Sequence, residues 1–420
     1  MIVPKTEIFR TAMILCAVCV CAESTTVSDF LKDVSKGIDT ASKVRTFTAE
    51  TAVPVIEDKT ITFIFWLPDE GYTPKRVTLC VRTDKHIKKT VLKKAGKSSV
   101  FWAKVKKNTN SRIDYWYETE ADGQTTRELD PLNRVIVYAK PLVSTIKRVS
   151  DGLGSLELIP LLPSESPLIY RRDITIYLPP EYAANPEKRY PVLYMQDGQQ
   201  LWDSSACAYG GWKMDKVANE LIAAGEIEPI IIVGINNSSR RDDELMGWSA
   251  YHRADSVKSN AKADPERILQ TAVDFESYVI GTVKPLIDCM YRTKPEAEFT
   301  GTGGSSSGAM EALYLGFRNS STFSKIAALS GGEAYYDDLI SDYLPTDRSL
   351  KIYLDCGDQN LDAQLLTASV RMRDALVATG YTEGADLQWN LVEGAGHNEA
   401  AWAARVPEFL KFLHGIPKGN

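Results

Sequence analysis

The sequence predicts an α/β protein in two parts: a small all-β sandwich, then a larger unit with a mostly parallel sheet covered by helices. Three observations carry this. From residue 51 to about 140, apolar residues recur near period two, between clusters of Gly, Pro, Asp and Asn. From 170 to the end, short apolar runs alternate with helical stretches, the texture of a sheet buried on both faces. Between them, residues 141–169 hold several Pro, Ser and Gly without clear period and read as a linker.

In the front part, strands are expected at Ile61 to Trp66, Arg76 to Val81, Val100 to Val105 and Arg112 to Thr119. No helical pattern of useful length interrupts them, so they should close as a sandwich over 51–140. Nine lysines fall between Lys85 and Lys107. They suit the solvated outer face of such a sandwich better than a binding patch. Residues 23–50 are polar and short on aromatics, and read as a further linker.

Before that, Lys5 and Arg10 precede the apolar run Thr11 to Ala22. The run is too short to span a bilayer comfortably and ends in the small residues of a cleavage site, so 1–22 reads as an export signal. The expected location is secreted or periplasmic, with no stable membrane insertion once the signal is removed. Three of the seven cysteines fall inside it. Cys80, Cys207, Cys289 and Cys356 remain, far apart and in no Cys/His cluster, so no metal site is implied. Whether they pair is open. Asn236, Asn237 and Asn319 each begin a glycosylation triplet. A net charge of −6 argues against nucleic acid as the main partner.

In the second part, over 170–420, strands are expected at Asp173 to Leu178, Pro191 to Met195, Ile230 to Ile235, Glu298 to Gly301, Ile326 to Leu329, Lys351 to Leu354 and Leu387 to Val392. Helices are expected at about 213–223, 271–290, 308–317, 363–379 and 399–414. The polar stretch from Asn237 to about Gln270 reads as one long loop, and its place after a strand puts it over a site.

The chemistry centres on Gly304, Ser305, Ser306, Ser307 and Gly308. This is G-x-S-x-G between an expected strand and an expected helix. A nucleophilic serine needs a strained turn that lifts its hydroxyl above the sheet. The helix start then offers free N–H groups to an oxyanion. The glycine spacing selects Ser306 among three consecutive serines. Serine alone is a poor nucleophile and needs a base. Of four histidines, His86 falls in the sandwich, His414 at the solvated end of the last helix, and His252 in the long loop, within reach of a substrate. His397 follows Gly394 and Gly396 after the last strand and is the expected base. The orienting acid should come between serine and histidine in the chain. The turn after Lys351 to Leu354 offers Asp355, Asp358 and Asp362. Asp358, directly after Gly357, is the choice, with Asp362 the alternative, although an N-cap role would account for it. The backbone N–H groups of Ser307 and Gln199, the latter in the loop after Pro191 to Met195, are the expected oxyanion donors. Trp212, Trp248 and Trp402 are candidates to line a substrate pocket. Nothing suggests a metal or organic cofactor, and oligomeric state is not legible.

With these residues in view, the chain resembles the esterase branch of the α/β-hydrolases, which includes enterochelin esterases, feruloyl esterases, esterase D-like enzymes and mycolyltransferase antigens. The resemblance rests on Tyr194 to Gln199, Gly211 and Trp212, Gly303 to Gly308, Tyr353 to Gly357 and Gly396 to Trp402. It implies an α/β-hydrolase fold and a serine esterase acting on a small-molecule or carbohydrate ester: a siderophore, feruloyl or acetylated-sugar ester. The front part is similar to the early-set immunoglobulin-like domain that precedes enterochelin esterase-like domains, Asp130 to Asn133 included. Two positions depart from the family. Residue 307, often Met there, is Ser here. The family acid stands three residues after the turn glycine, where this chain has Asn360. That departure, with the likeness of the front domain to the glycogen-binding module, motivates a second reading, a carbohydrate- or siderophore-binding protein with a weakened hydrolase site. Acyl transfer on the same scaffold is a third.

Overall fold

The computed structural model describes residues 25–417, apart from 58, 68–72, 83–85, 108–112, 138–141, 147–152, 204, 206 and 347. The expected export signal lies outside the described residues. The chain forms two units, Met1–Asp151 and Gly152–Asn420.

The first unit opens with α1 (Val27–Val34) and α2 (Thr40–Glu50), where a linker was expected. Thr26 caps α1 by accepting from the Asp29 N–H. Phe30, Val34, Val44 and Phe47 then bury one apolar side of the pair with Ile64, Trp66 and Val100. The polar surface of these helices hides a stripe too narrow to register as composition. Ten strands follow: β1 (Val55–Ile56), β2 (Thr60–Phe65), β3 (Arg76–Arg82), β4 (Ile87–Val91), β5 (Lys93–Lys94), β6 (Phe101–Lys106), β7 (Ile113–Ala121), β8 (Gln124–Glu128), β9 (Val135–Val137) and β10 (Val143–Ile146). One sheet runs β1-β2-β6-β5; in the other, β9-β10-β7-β3-β4 lie side by side, with β8 beside β7. Their inward residues Phe63, Phe65, Leu79, Phe101, Tyr115 and Tyr117 form one core, as alternation predicts. Lys88, Lys89, Lys93 and Lys94 on β4 and β5 are exposed, as a solvated face requires. β10 extends this unit past 140, into the expected linker.

The second unit holds β11 (Ser155–Leu162), β12 (Arg172–Leu178), β13 (Val192–Met195), α3 (Met214–Ala223), β14 (Ile231–Ile235), α4 (Arg241–Met246), α5 (Ala250–Ser259), α6 (Pro265–Tyr278), α7 (Lys284–Met290), β15 (Thr300–Ser305), α8 (Ser307–Arg318), β16 (Lys325–Leu329), α9 (Glu333–Asp342), β17 (Lys351–Gly357), α10 (Leu361–Ala378), β18 (Leu387–Val392) and α11 (Glu399–His414). Strand order is β11-β12-β14-β13-β15-β16-β17-β18. The six strands from β14 to β18 are parallel, while β11 and β12 are antiparallel additions. Apart from the half-exposed edge strand β18, the parallel strands are buried along nearly all their length, which is why they read as apolar runs. This is the α/β-hydrolase arrangement. It differs from the sequence expectation at four places. β11 lies inside the expected linker 141–169. The expected loop 237–270 contains α4, α5 and the start of α6, and α9 was not foreseen. His414 is buried in α11 rather than at a solvated end.

Candidate active site

The site lies at the C-terminal ends of the parallel strands, where the chain leaves the sheet. β15 ends at Ser305, and Ser306 turns directly into α8 with φ 56° and ψ −126°. That is a left-handed, strained conformation for a residue with a side chain. The turn is pinned: the Ser306 N–H donates to Leu329 O at 2.9 Å, and its carbonyl accepts from Ala309 and Met310 at 2.9 and 3.2 Å. A Cβ on Gly304 would stand 2.7 Å from the Gly308 backbone, so the two flanking glycines are what lets the turn close. Ser306 is half-buried. Ser307 opens α8, whose first N–H groups lack intrahelical acceptors.

His397 stands between β18 and α11. Its Nδ1 lies 2.6 Å from Asp362 Oδ1. Asp358, the carboxylate chosen from sequence, is engaged elsewhere: it accepts from the Gly394 N–H at 2.8 Å and from Gln359 Nε2 at 2.9 Å. The hydrogen bond to the histidine therefore falls to Asp362, and the reason is local. The N-cap of α10 is Asn360, not Asp362. Asp362 sits inside the first turn, where its side chain points back towards the strand ends. Gly357 makes room, since a Cβ there would stand 2.6 Å from Asp362 Oδ2.

The outer oxygen of Asp362 is also held. Ser330 Oγ donates at 2.7 Å, the Gly357 N–H at 2.8 Å and Arg405 Nη2 at 3.4 Å. Burial would raise the Asp362 carboxyl, but hydrogen bonds from His397, Ser330 and Gly357 outweigh it and hold the pKa below the ordinary value. Behind it, Arg405 donates to Asp355 at 2.7 Å. Burial pushes Asp355 up to about 6 against the pull of Arg405 and Tyr353. Asp355 thus lies within its strand in a buried ion pair with Arg405, and its carboxylate is not the one that meets His397.

A family model described as "Putative esterase" matches residues 168–413, more than half the chain. The chain belongs to this esterase family. It is 29% identical over 243 residues to the endo-1,4-beta-xylanase/feruloyl esterase of Xylanibacter ruminicola, covering 57% of this chain and 28% of that protein. The chain thus spans under a third of that relative's length. Among solved structures it is similar to a ferulic acid esterase, at 21% identity and TM-score 0.47, over 62% of this chain and 98% of the other. It is also similar to the ferric enterobactin esterase of Salmonella typhimurium, at 18% identity and TM-score 0.42, over 84% and 93%. Residues 168–413 are an ester-hydrolase domain.

In this esterase domain the loop after β13 carries the second expected oxyanion donor. Asp197 has φ 54°, and Gly198–Gln200 form a single 3₁₀ turn. The side chain of Gln199 accepts from the Asn237 N–H at 3.1 Å. The tryptophans differ from expectation. Trp212 and Trp248 are each 2% exposed, so neither presents a face to a ligand. Trp248 stacks on Tyr314 at 4.9 Å in the main core. Trp212 packs 5.9 Å from Trp402, which in turn meets the His397 ring edge-on at 5.0 Å and donates to Ser330 at 3.0 Å. Trp402, with Trp212 behind it, backs the histidine, while Trp248 belongs to the core. His252 is also buried, with Nε2 3.4 Å from Asp243. Among the described residues no disulfide joins any of the four cysteines. Among the described residues no group of His, Cys, Asp and Glu is arranged to hold a metal ion, and no helix is long and apolar enough to cross a membrane.

Two residues escaped the sequence reading. Arg241 donates to both oxygens of Asp197, at 2.7 Å each, and to Ser307 Oγ at 3.0 Å. Arg405 backs Asp362. Each acts across the fold, with no motif around it to announce the contact.

Proposed function

We propose that this protein is a serine esterase in which Ser306, His397 and Asp362 form the catalytic triad. The observation that carries this is the 2.6 Å contact of His397 with Asp362, placed downstream of a serine held at a strained strand-to-helix turn. Asp362 takes the Nδ1 proton side of the ring, leaving Nε2 as the base. Ser306 Oγ attacks the ester carbonyl and passes its proton to Nε2. The oxyanion is held by the N–H groups of Ser307 and Gln199. His397 then protonates the departing alcohol, and water, activated the same way, releases the acid. The relative named as a feruloyl esterase supports hydroxycinnamate esters of carbohydrates as the first substrates to try, ahead of siderophore lactones and acetylated sugars. The weakened-site alternative is less favoured, because Asp362 stands where it can supply the carboxylate that Asn360 lacks. The early-set immunoglobulin-like reading of the front unit is supported by its two antiparallel sheets. Export is supported by the basic and apolar N-terminal pattern.

Ser306→Ala, assayed against p-nitrophenyl acetate and methyl ferulate, should lose about 10³-fold or more of kcat while keeping the wild-type melting temperature. Wild-type-like turnover by this variant would remove Ser306 from the mechanism.

A further inference from the structure

The two expected oxyanion donors come from different elements. Ser307 begins the helix after β15, and Gln199 lies in the loop after β13. An oxyanion hole works only if such donors converge on one point, within a few tenths of an ångström. The segment after β14 joins them. Arg241 grips Asp197 with two short bonds, from Nε to Oδ1 and from Nη2 to Oδ2, both 2.7 Å. Its remaining nitrogen, Nη1, donates to Ser307 Oγ at 3.0 Å. Asn237 adds a second hold on the same loop, donating from Nδ2 to Asp197 Oδ1 at 2.7 Å and from its N–H to the Gln199 side chain.

Arg241 is itself fixed from beneath. Its helix carries Glu244, which forms a buried pair with Arg172 of β12, at 2.9 and 2.6 Å, and accepts from Ser238 at 2.8 Å. Asp197 is 5% exposed at its side chain and Arg241 26%, so this is a partly desolvated fork-to-fork pair. Two of the three guanidinium nitrogens are spent on Asp197, which leaves little charge to recruit an anionic substrate.

We propose that Arg241 is a positioning residue that sets the spacing of the two oxyanion donors by tying the loop of Gln199 to the start of the nucleophile helix. The inference rests on the triad reading given above. The arginine touches neither substrate nor reacting atoms. It acts through Asp197 and Ser307, and its effect falls on the transition state rather than on the bound ester.

The test compares wild type, Arg241→Ala and Ser307→Ala. Ser307→Ala keeps the backbone N–H and deletes only the hydroxyl that Arg241 holds, so it serves if Arg241→Ala fails to fold. Each protein is assayed on p-nitrophenyl acetate and titrated with an aryl trifluoromethyl ketone and with the matching aryl amide. The ketone carbon accepts Ser306 Oγ, its oxygen becomes the oxyanion, and the proton moves to His397. The amide reports ground-state binding. Arg241→Ala should lower kcat by roughly 10- to 100-fold with KM within about threefold, the pattern of weakened transition-state contacts. Ketone affinity should fall by the same factor and amide affinity should hold. Ser307→Ala should move the same quantities in the same direction, less far. Unchanged kcat in both variants, or equal losses for ketone and amide, would overturn the proposal. Wild type that hydrolyses no ester and takes no fluorophosphonate label on Ser306 would instead remove the triad reading, and this inference with it.

Discussion

At the scale of single residues, most of the proposed site can be read from the sequence because its chemistry would demand rare local features. A serine between glycines at a strand–helix junction has few other uses, and Ser306 does adopt the strained φ that such a junction needs. His397 is expected as the base from its place between the last strand and last helix, and it lies against Asp362. The acid now proposed differs from the expected Asp358, because three aspartates fall within eight residues and only the turn geometry separates them. Asn360 takes the left-handed cap position at φ 56°, which carries Asp362 into the helix and towards His397. Asp358 turns to the Gly394 N–H instead. Asp362→Asn should therefore lower kcat by roughly 10³- to 10⁴-fold, since an amide cannot hold the imidazole in the tautomer that leaves Nε2 free. Asp358→Ala should keep kcat within about threefold, as a variant outside the hydrogen-bonded chain. Steady-state kinetics on one p-nitrophenyl ester checks both, and the reverse ranking would return the role to Asp358.

At the scale of elements, helix α8, which starts directly after Ser306, carries an unusual residue. Glu311 is fully buried, and neither carboxylate oxygen has a hydrogen-bond partner among the described residues. Burial, with Glu276 and Glu244 nearby, pushes its pKa well above the ordinary carboxyl value, so the folded chain holds it protonated. The unfolded chain would release that proton near the ordinary glutamate value of 4.5. Between those two points the folded state binds the extra proton. Stability therefore falls as pH rises, at up to about 1.4 kcal/mol per pH unit. Glu311→Gln keeps the shape and removes the titration. Its melting temperature should exceed that of wild type at pH 8 and approach it at pH 5. Parallel curves for the two proteins across that range would mean that Glu311 does not titrate on unfolding. Periodicity located α8 to within a residue at each end but said nothing of Glu311. A carboxylate on a buried face looks like any other polar position until the facing elements are known.

At the scale of the whole molecule, the two-part organisation was legible from texture, because period-two alternation and continuous apolar strands reflect sheets buried on one face and on two. The segments read as linkers were where texture misled. α1 and α2 bury only a few apolar residues each, and β11 follows a Pro- and Gly-bearing stretch, so composition masked real elements. Each unit has its own core, that of the first built on Phe63, Tyr115 and Tyr117, that of the second on the parallel sheet and its helices. Phe63 is fully buried and meets Tyr115 edge-on at 4.9 Å. Phe63→Ala should remove about 3–5 kcal/mol from the first unit. Because none of the proposed catalytic residues belongs to that unit, Ser306-dependent hydrolysis of p-nitrophenyl acetate at 25 °C should stay within about twofold of wild type. Calorimetry should show the loss as a lowered transition for the first unit, with the transition for the esterase domain in place. If the variant loses turnover in step with that first transition, the front unit supports the small-ester reaction, and the chemistry cannot be assigned to residues 168–413 alone.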